Sequence, residues 1–246
     1  MERLIGFSIV LCRVCAFFLA APIFGFAAIP VMVRACCAVV LSVFFASCIQ
    51  VPAGIGSVGA LQLILILVAE ATYGLLLGLV VQMVLAAIRC GGEIIEQQMG
   101  LTTAEMVDPL TGQEEQPVAV LLEMIFLLLL LASDGHHLLL GALLRSLDGF
   151  PIGHVPTIQM MTYAIVKAGS ALLLIGLRLA APILVAFLLL YVVLAVFARV
   201  VPEMDILLLT FPARIGLGLI MTWVLIPVMQ ELVGQVGRWM TELLPL

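Results

Sequence analysis

The chain has 246 residues, of which 65% are hydrophobic and only 10% charged, with a formal net charge of −5. A soluble domain of this length carries roughly 45–50% apolar and about 25% charged residues, so a water-soluble globule is excluded. The acidic balance argues against nucleic acid, which requires basic patches, and gives no reason to expect anionic-lipid recognition.

The first apolar run spans about Leu4 to Ala28 and the second about Val31 to Val51. Pro22 and Pro30 break the first run where a cleaved leader would carry a small-residue site, so it reads as mature chain. Five of the six cysteines, Cys12, Cys15, Cys36, Cys37 and Cys48, lie in these runs, and Cys90 follows later. Cys12-x-x-Cys15 has redox spacing but lacks the βαβ context and exposed helix start of a redox motif. The cysteines read as small apolar packing residues with no disulfide framework.

Pro52 to Gly59 is a Gly/Pro-rich loop. Its Gly54-x-Gly56-x-x-Gly59 spacing formally matches a dinucleotide fingerprint. No carboxylate lies about 20 residues on, and the preceding run ends in Val51-Pro52, so the loop reading prevails. No Walker A sequence is present, and no cofactor is expected.

The third run extends from Leu61 to Ile88 and contains Gly74-x-x-x-Gly78, a spacing that permits close helix crossing. Whether the crossing partner is internal or another subunit is open at this level. Gly91-Gly92 predicts a loosened end to this helix.

A polar island follows from Arg89 to Pro117. Six carboxylates, Glu93, Glu96, Glu105, Asp108, Glu114 and Glu115, face a single arginine, Arg89. Each charge at a bilayer centre costs several kcal/mol, so the island must meet water or protein. It is the best candidate for where the protein works. Thr102-x-x-Glu105 fits a capping box, but Asp108-Pro109 forbids a long helix. Residues 108 to 117 read as an irregular loop, either solvated at the surface or folded inward to plug an aqueous passage.

The fourth run goes from Val118 to Ala132. His136 to Leu147 reads as a short helix capped by Ser133 or Asp134. Adjacent histidines on a helix point about 100° apart and rarely share an ion, so His136-His137 implies no metal. No His-Glu-x-x-His occurs, and Asp134 and Asp205 sit at run ends where capping explains them, so no enzyme is indicated. Asp148 to Pro156 is a second loop.

From Thr157 to Val200 the pattern has no break except Pro182, a kink signal. Pro202-Glu203-Met204-Asp205 predicts a tight polar turn, and a second long run reaches about Leu244 with Pro212 and Pro227 inside it. A helix of roughly 40 residues is about 60 Å long, twice the roughly 30 Å hydrocarbon core. This hairpin must kink, tilt, split or stand partly outside the bilayer against other protein. The intramembrane charges Glu70, Glu123, Lys167, Arg178 and Arg214 read as facing a bundle interior, a partner or an aqueous path. Ion pairing between helices of a complex is the reading for the last three. Ten Lys and Arg are scattered with no loop concentrating them, so the positive-inside rule gives no orientation.

Taken in order, several strings carry a resemblance. They are Gly92-Glu93-Ile94-Ile95-Glu96-Gln97-Gln98-Met99-Gly100-Leu101, Val107-Asp108-Pro109, Asp134-Gly135-His136-His137, Ser146 to Pro151, Phe197 to Asp205 and Thr210-Phe211-Pro212. The ordered set resembles the FliR family of flagellar biosynthetic proteins, related to the injectisome T subunit. The sequence departs from that pattern at Asp134 and Asp205, where Asn is usual, and at Ala213-Arg214.

The resemblance implies an all-α membrane protein of long kinked helices and helical hairpins, a subunit of a helical export-gate assembly. It implies a P-subunit-like part at 1–156, carrying the polar loop 89–117, and a Q-subunit-like long hairpin at 157–246. The implied role is in the flagellar type III secretion apparatus of the bacterial inner membrane, at the flagellar basal body. The implied partners are the P and Q gate subunits, the B-type switch subunit, the A-type gate protein and unfolded polypeptide substrates.

The resemblance also implies a plug loop at about 105–116. The channel and plug candidates are Gln97, Gln98, Met99, Gly100, Glu105, Met106, Asp108, Pro109, Glu114 and Glu115, with Arg199, Pro202 and Asp205 shaping the turn. Soft Met side chains such as Met99 and Met106 can close around varied cargo without holding it tightly. Energy would come from partners and the proton gradient. The rival readings are the equivalent subunit of a virulence-type injectisome and a small-solute secondary transporter. The latter predicts inverted repeats, and none is evident in the sequence.

Overall fold

A computed structural model describes residues 2–22, 24, 30–48, 59–101, 116–200 and 206–243. Among these residues the only regular elements are seven α-helices: α1 (Glu2–Ala20), α2 (Val31–Cys48), α3 (Ala60–Met99), α4 (Pro117–Ala132), α5 (Gly135–Gly149), α6 (Ile158–Val200) and α7 (Ile206–Leu243). The protein is an all-α membrane protein, as the resemblance implied. Three helices, α3, α6 and the 210–235 portion of α7, are long and apolar enough to cross a bilayer. A fourth span results if α4 and α5 form one broken span.

The contacts divide the chain into two compact units. One comprises 1–84, 134–170 and 235–246, and the other 85–133 and 171–234. These units cut across the chain at places other than 156/157, because α3 and α6 each contribute to both.

In the first unit the Gly74-x-x-x-Gly78 pair has an internal partner, α1. A Cβ on Gly74 would collide with the Arg13 carbonyl oxygen, and one on Gly78 would lie 2.5 Å from Ala20 Cβ and 2.9 Å from the Phe17 carbonyl oxygen. Two glycines one turn apart thus let the backbones of α1 and α3 approach closely. Ile9, Val14, Phe17, Tyr73 and Leu77 are fully buried around this crossing. Cys12 donates its thiol proton to the Leu67 carbonyl at 3.3 Å, so one cysteine of the Cys12-x-x-Cys15 pair serves the same helix contact.

In the second unit the structure corrects an expectation. Gly91-Gly92 does not loosen α3, which continues through the pair for seven more residues to Met99. A Cβ on Gly92 would stand 2.6 Å from Ala119 Cα of α4, and one on Gly91 would stand 3.1 Å from the Gly176 carbonyl of α6. The pair opens two close helix contacts, and the packing outweighs the roughly 1 kcal/mol per glycine that a helix interior costs. The first third of the polar island is therefore helix, not loop. At 40 residues, α3 is about 60 Å long, so the excess height foreseen for the last two helices extends to the third.

α4 begins with Pro117 in its first turn, where the missing N–H costs nothing. Helix α5 starts at Gly135 and extends to Gly149, with Asp134 at its N-cap. The expected side-chain cap is not formed. Asp134 takes a left-handed backbone (φ 58°) with no capping bond, and the Ser133 hydroxyl donates backward to the Leu130 carbonyl. α6 runs unbroken past Pro182 for 43 residues, and α7 holds Pro212 and Pro227 for 38. Leu173, Leu174, Leu177, Val185, Leu188, Leu189 and Val192 of α6 are all exposed. So extensive an apolar face belongs against lipid or another subunit.

Candidate functional site

The described part of the polar island converges on the end of α3. Gly100 has φ 78° and donates its N–H to the Gln97 carbonyl at 3.1 Å. A glycine in the left-handed region directly after the last helical residue is a helix stop that other residues adopt at a cost. Gln97 is exposed, Gln98 half-buried, and Met99 and Gly100 buried. The Gln-Met-Gly string thus ends the helix and points successive side chains in different directions.

Met99 lies against Gly218 of α7, so tightly that a Cβ on Gly218 would overlap its thioether. Gln98 meets α6: the Tyr191 hydroxyl lies 3.2 Å from both the Gln98 backbone carbonyl and its side-chain oxygen. The Arg214 guanidinium sits 4.9 Å from the centre of the Tyr191 ring, a cation–π distance. The end of α3, the later half of α6 and the first half of α7 therefore share one polar and soft cluster.

Glu96 explains how a carboxylate survives there. It is buried and accepts from the backbone N–H of Ala119 at 3.4 Å. The first turn of any helix carries unpaired N–H groups and a partial positive charge. The Gln116 side chain does not cap α4, so Glu96 supplies that acceptor from α3. Arg89 bonds Glu93 at 3.3 Å and approaches Glu123 at 3.8 Å. These groups are partly exposed, so the pairing orders the α3–α4 contact more than it stabilises it.

The first unit has its own polar centre, built around Glu70, one of the intramembrane charges the sequence singled out. Arg13, completely buried, bonds Glu70 through Nε at 2.5 Å. Its Nη1 and Nη2 donate to the carbonyls of Ser146 and Phe150 at 2.9 and 3.1 Å. Glu70 accepts in turn from the Gly153 N–H at 2.9 Å, and the Tyr73 ring lies 4.8 Å from the guanidinium. Every strong group in the network has a partner, so it reads as a clamp joining α1, α3, α5 and the loop after α5.

Of the sequence candidates, Gln97, Gln98, Met99 and Gly100 are placed together at the α3 terminus. Arg199 is exposed in the last turn of α6. Glu105, Met106, Asp108, Pro109, Glu114, Glu115, Pro202 and Asp205 lie outside the described residues, as do Gly54 and Gly56. Arg13, Tyr191 and Gly218 were missed by sequence reasoning. Arg13 carried a usable signal, a charge inside an apolar run. Tyr191, a hydroxyl in an otherwise apolar stretch, carried a weaker one. Nothing in the sequence distinguishes Gly218 from Gly216.

A family model described as bacterial export proteins, family 1, matches residues 4–238. The flagellar biosynthetic protein FliR of Escherichia coli (strain K12) is 33% identical over 217 residues, 88% of this chain and 82% of that protein. FliR of Bacillus subtilis (strain 168) is 30% identical over 219 residues, covering 88% and 84%. The Yop proteins translocation protein T of Yersinia pestis is 28% identical over 159 residues, covering 64% and 61%.

Proposed function

The chain belongs to the bacterial export proteins, family 1, and from that membership we propose that it is an export-gate subunit of a flagellar type III secretion system in the bacterial inner membrane. The observation that carries this reading is the extent of the likeness. It reaches 33% and 30% identity over more than four-fifths of two flagellar proteins, against 28% over 61% of the Yersinia translocation protein. The virulence-type reading is the runner-up on that likeness. A genetic neighbourhood of flagellar genes supports the first reading, and one of injectisome genes overturns it.

The P and Q gate subunits, a B-type switch subunit and an A-type gate protein are the proposed partners, with unfolded polypeptide as cargo. Two physical features support a partnered life. The exposed apolar face of α6 and the roughly 60 Å length of α3, α6 and α7 exceed what a lone bilayer-spanning protein needs. The chain carries no nucleotide-binding motif, so the work of transport belongs to partners and the proton gradient.

The segment 105–116 is the proposed plug. Support comes from its place in the sequence, a few residues after the Gly100 stop that ends α3. A soft Met99 seated on Gly218 can be displaced by varied side chains without a specific contact being lost. Deletion of 108–116 tests the plug: ion leakage through the assembled complex is expected to rise. An unchanged leak in a complex of normal composition would count against it.

A further inference from the structure

The break between α4 and α5 places three metal-ligating side chains together. We propose that Asp134, His136 and His137 form a binding site for one divalent transition-metal ion, with zinc the best match to the donor set. The sequence argued against it, because successive side chains on a helix diverge. The structure brings the two imidazoles together in the first turn of α5, with ring centroids 4.1 Å apart and planes inclined by 37°. Asp134 Oδ1 lies 3.6 Å from His137 Nδ1. One donor atom from each of the three residues lies within 4.8 Å of the others.

A second observation points the same way. His136 Nδ1 is a buried nitrogen with no hydrogen-bond partner. Buried polar atoms are nearly always satisfied, and an exception calls for an explanation such as a missing water or ion. A metal bond to that nitrogen would satisfy it.

Two imidazoles and one carboxylate, with the remaining positions left to water, are a donor set that suits zinc and its neighbours rather than calcium or magnesium. Donors around a tetrahedral zinc stand about 3.3 Å apart, given bonds of roughly 2.0–2.1 Å. The trio must therefore contract slightly. Rotation about χ2 of histidine, a broad torsion, supplies this without moving the backbone. The N-terminal dipole of α5 opposes a cation, which makes the Asp134 carboxylate a needed counter-charge. Its left-handed backbone holds that carboxylate at the helix start.

The test uses the untagged full chain in detergent, stripped of metal and titrated with Co2+, whose ligand-field absorption reports coordination. One saturable equivalent is expected, displaced by Zn2+. Changes in outer-shell partners already cost roughly 10–100-fold in affinity. His136→Ala and His137→Ala, which remove direct ligands, should therefore each weaken binding at least about 100-fold, and Asp134→Asn at least about 10-fold. The third histidine of the chain, His154, is the control, and His154→Ala should bind as the parent does. Asp134 and His137 are largely exposed and His136 is half-buried, and circular dichroism checks that each variant keeps the helix content of the parent. Absence of a saturable equivalent would overturn the site. So would binding that survives His136→Ala and His137→Ala, or that is lost in His154→Ala.

Discussion

The Arg13–Glu70 clamp makes the sharpest quantitative demand on the structure. Removing one partner of a buried ion pair costs about 3–5 kcal/mol, because the other charge is left uncompensated. Glu70→Leu also leaves the Gly153 N–H without its acceptor, a further loss of about 1–3 kcal/mol. Arg13→Met strands the Phe150 carbonyl at a similar cost. The Ser146 carbonyl still accepts from the Phe150 N–H. Each single variant should therefore lose about 6 kcal/mol. The double variant Arg13→Met/Glu70→Leu carries no stranded charge. It orphans two backbone groups at about 2 kcal/mol each, so it should lose only about 4 kcal/mol. The double variant should accordingly be more stable than either single one by about 2 kcal/mol, although it removes more contacts. Reversible unfolding in mixed detergent micelles, followed by tryptophan fluorescence or circular dichroism, reads the order directly. Additive losses, with the double variant the least stable, would refute a buried, mutually compensated pair.

Gly92→Ala should destabilise by about 1–3 kcal/mol, since its Cβ meets the Ala119 backbone and overpacking against a rigid neighbour costs that much. Gly218→Ala should cost less than about 1 kcal/mol, because the Met99 thioether it meets can swing aside; an equal loss in both variants would show Met99 to be as fixed as backbone. Tyr191→Phe removes one hydroxyl shared by two Gln98 oxygens and should cost about 0.5–1.5 kcal/mol in thermal unfolding, with no effect expected if that contact is absent in solution. Glu96→Leu should be less stable than Glu96→Gln by about 1–2 kcal/mol, because only glutamine keeps an oxygen for the first turn of α4. Hydrogen exchange at the Ala119 amide should be faster in the leucine variant, and equal protection in the two would remove Glu96 as the helix cap.

Apolar run length and breaker residues determined how many helices form among the described residues, because both act within a few residues of sequence. Bilayer-length hydrophobic stretches needed nothing else, whereas the end of α3 at Met99, eleven residues beyond the apolar run, emerged only from the fold. The excess length of the last two helices was equally legible, since helical rise per residue is fixed. What a helix faces could not be read that way. Gly74-x-x-x-Gly78 announced a close crossing, but only the folded chain identified α1 as the partner. Gly91-Gly92 carried the signature of a frayed end and proved to be a double packing notch, because α4 and α6 press against it. Glu96 looked like one more acid of a wet island, yet it is buried against the start of another helix. Arg13 and Glu70 are 57 residues apart, and no local rule pairs them. A glycine or a carboxylate has the same intrinsic preferences in either setting, and the neighbour brought by tertiary folding decides whether it breaks a helix or joins two.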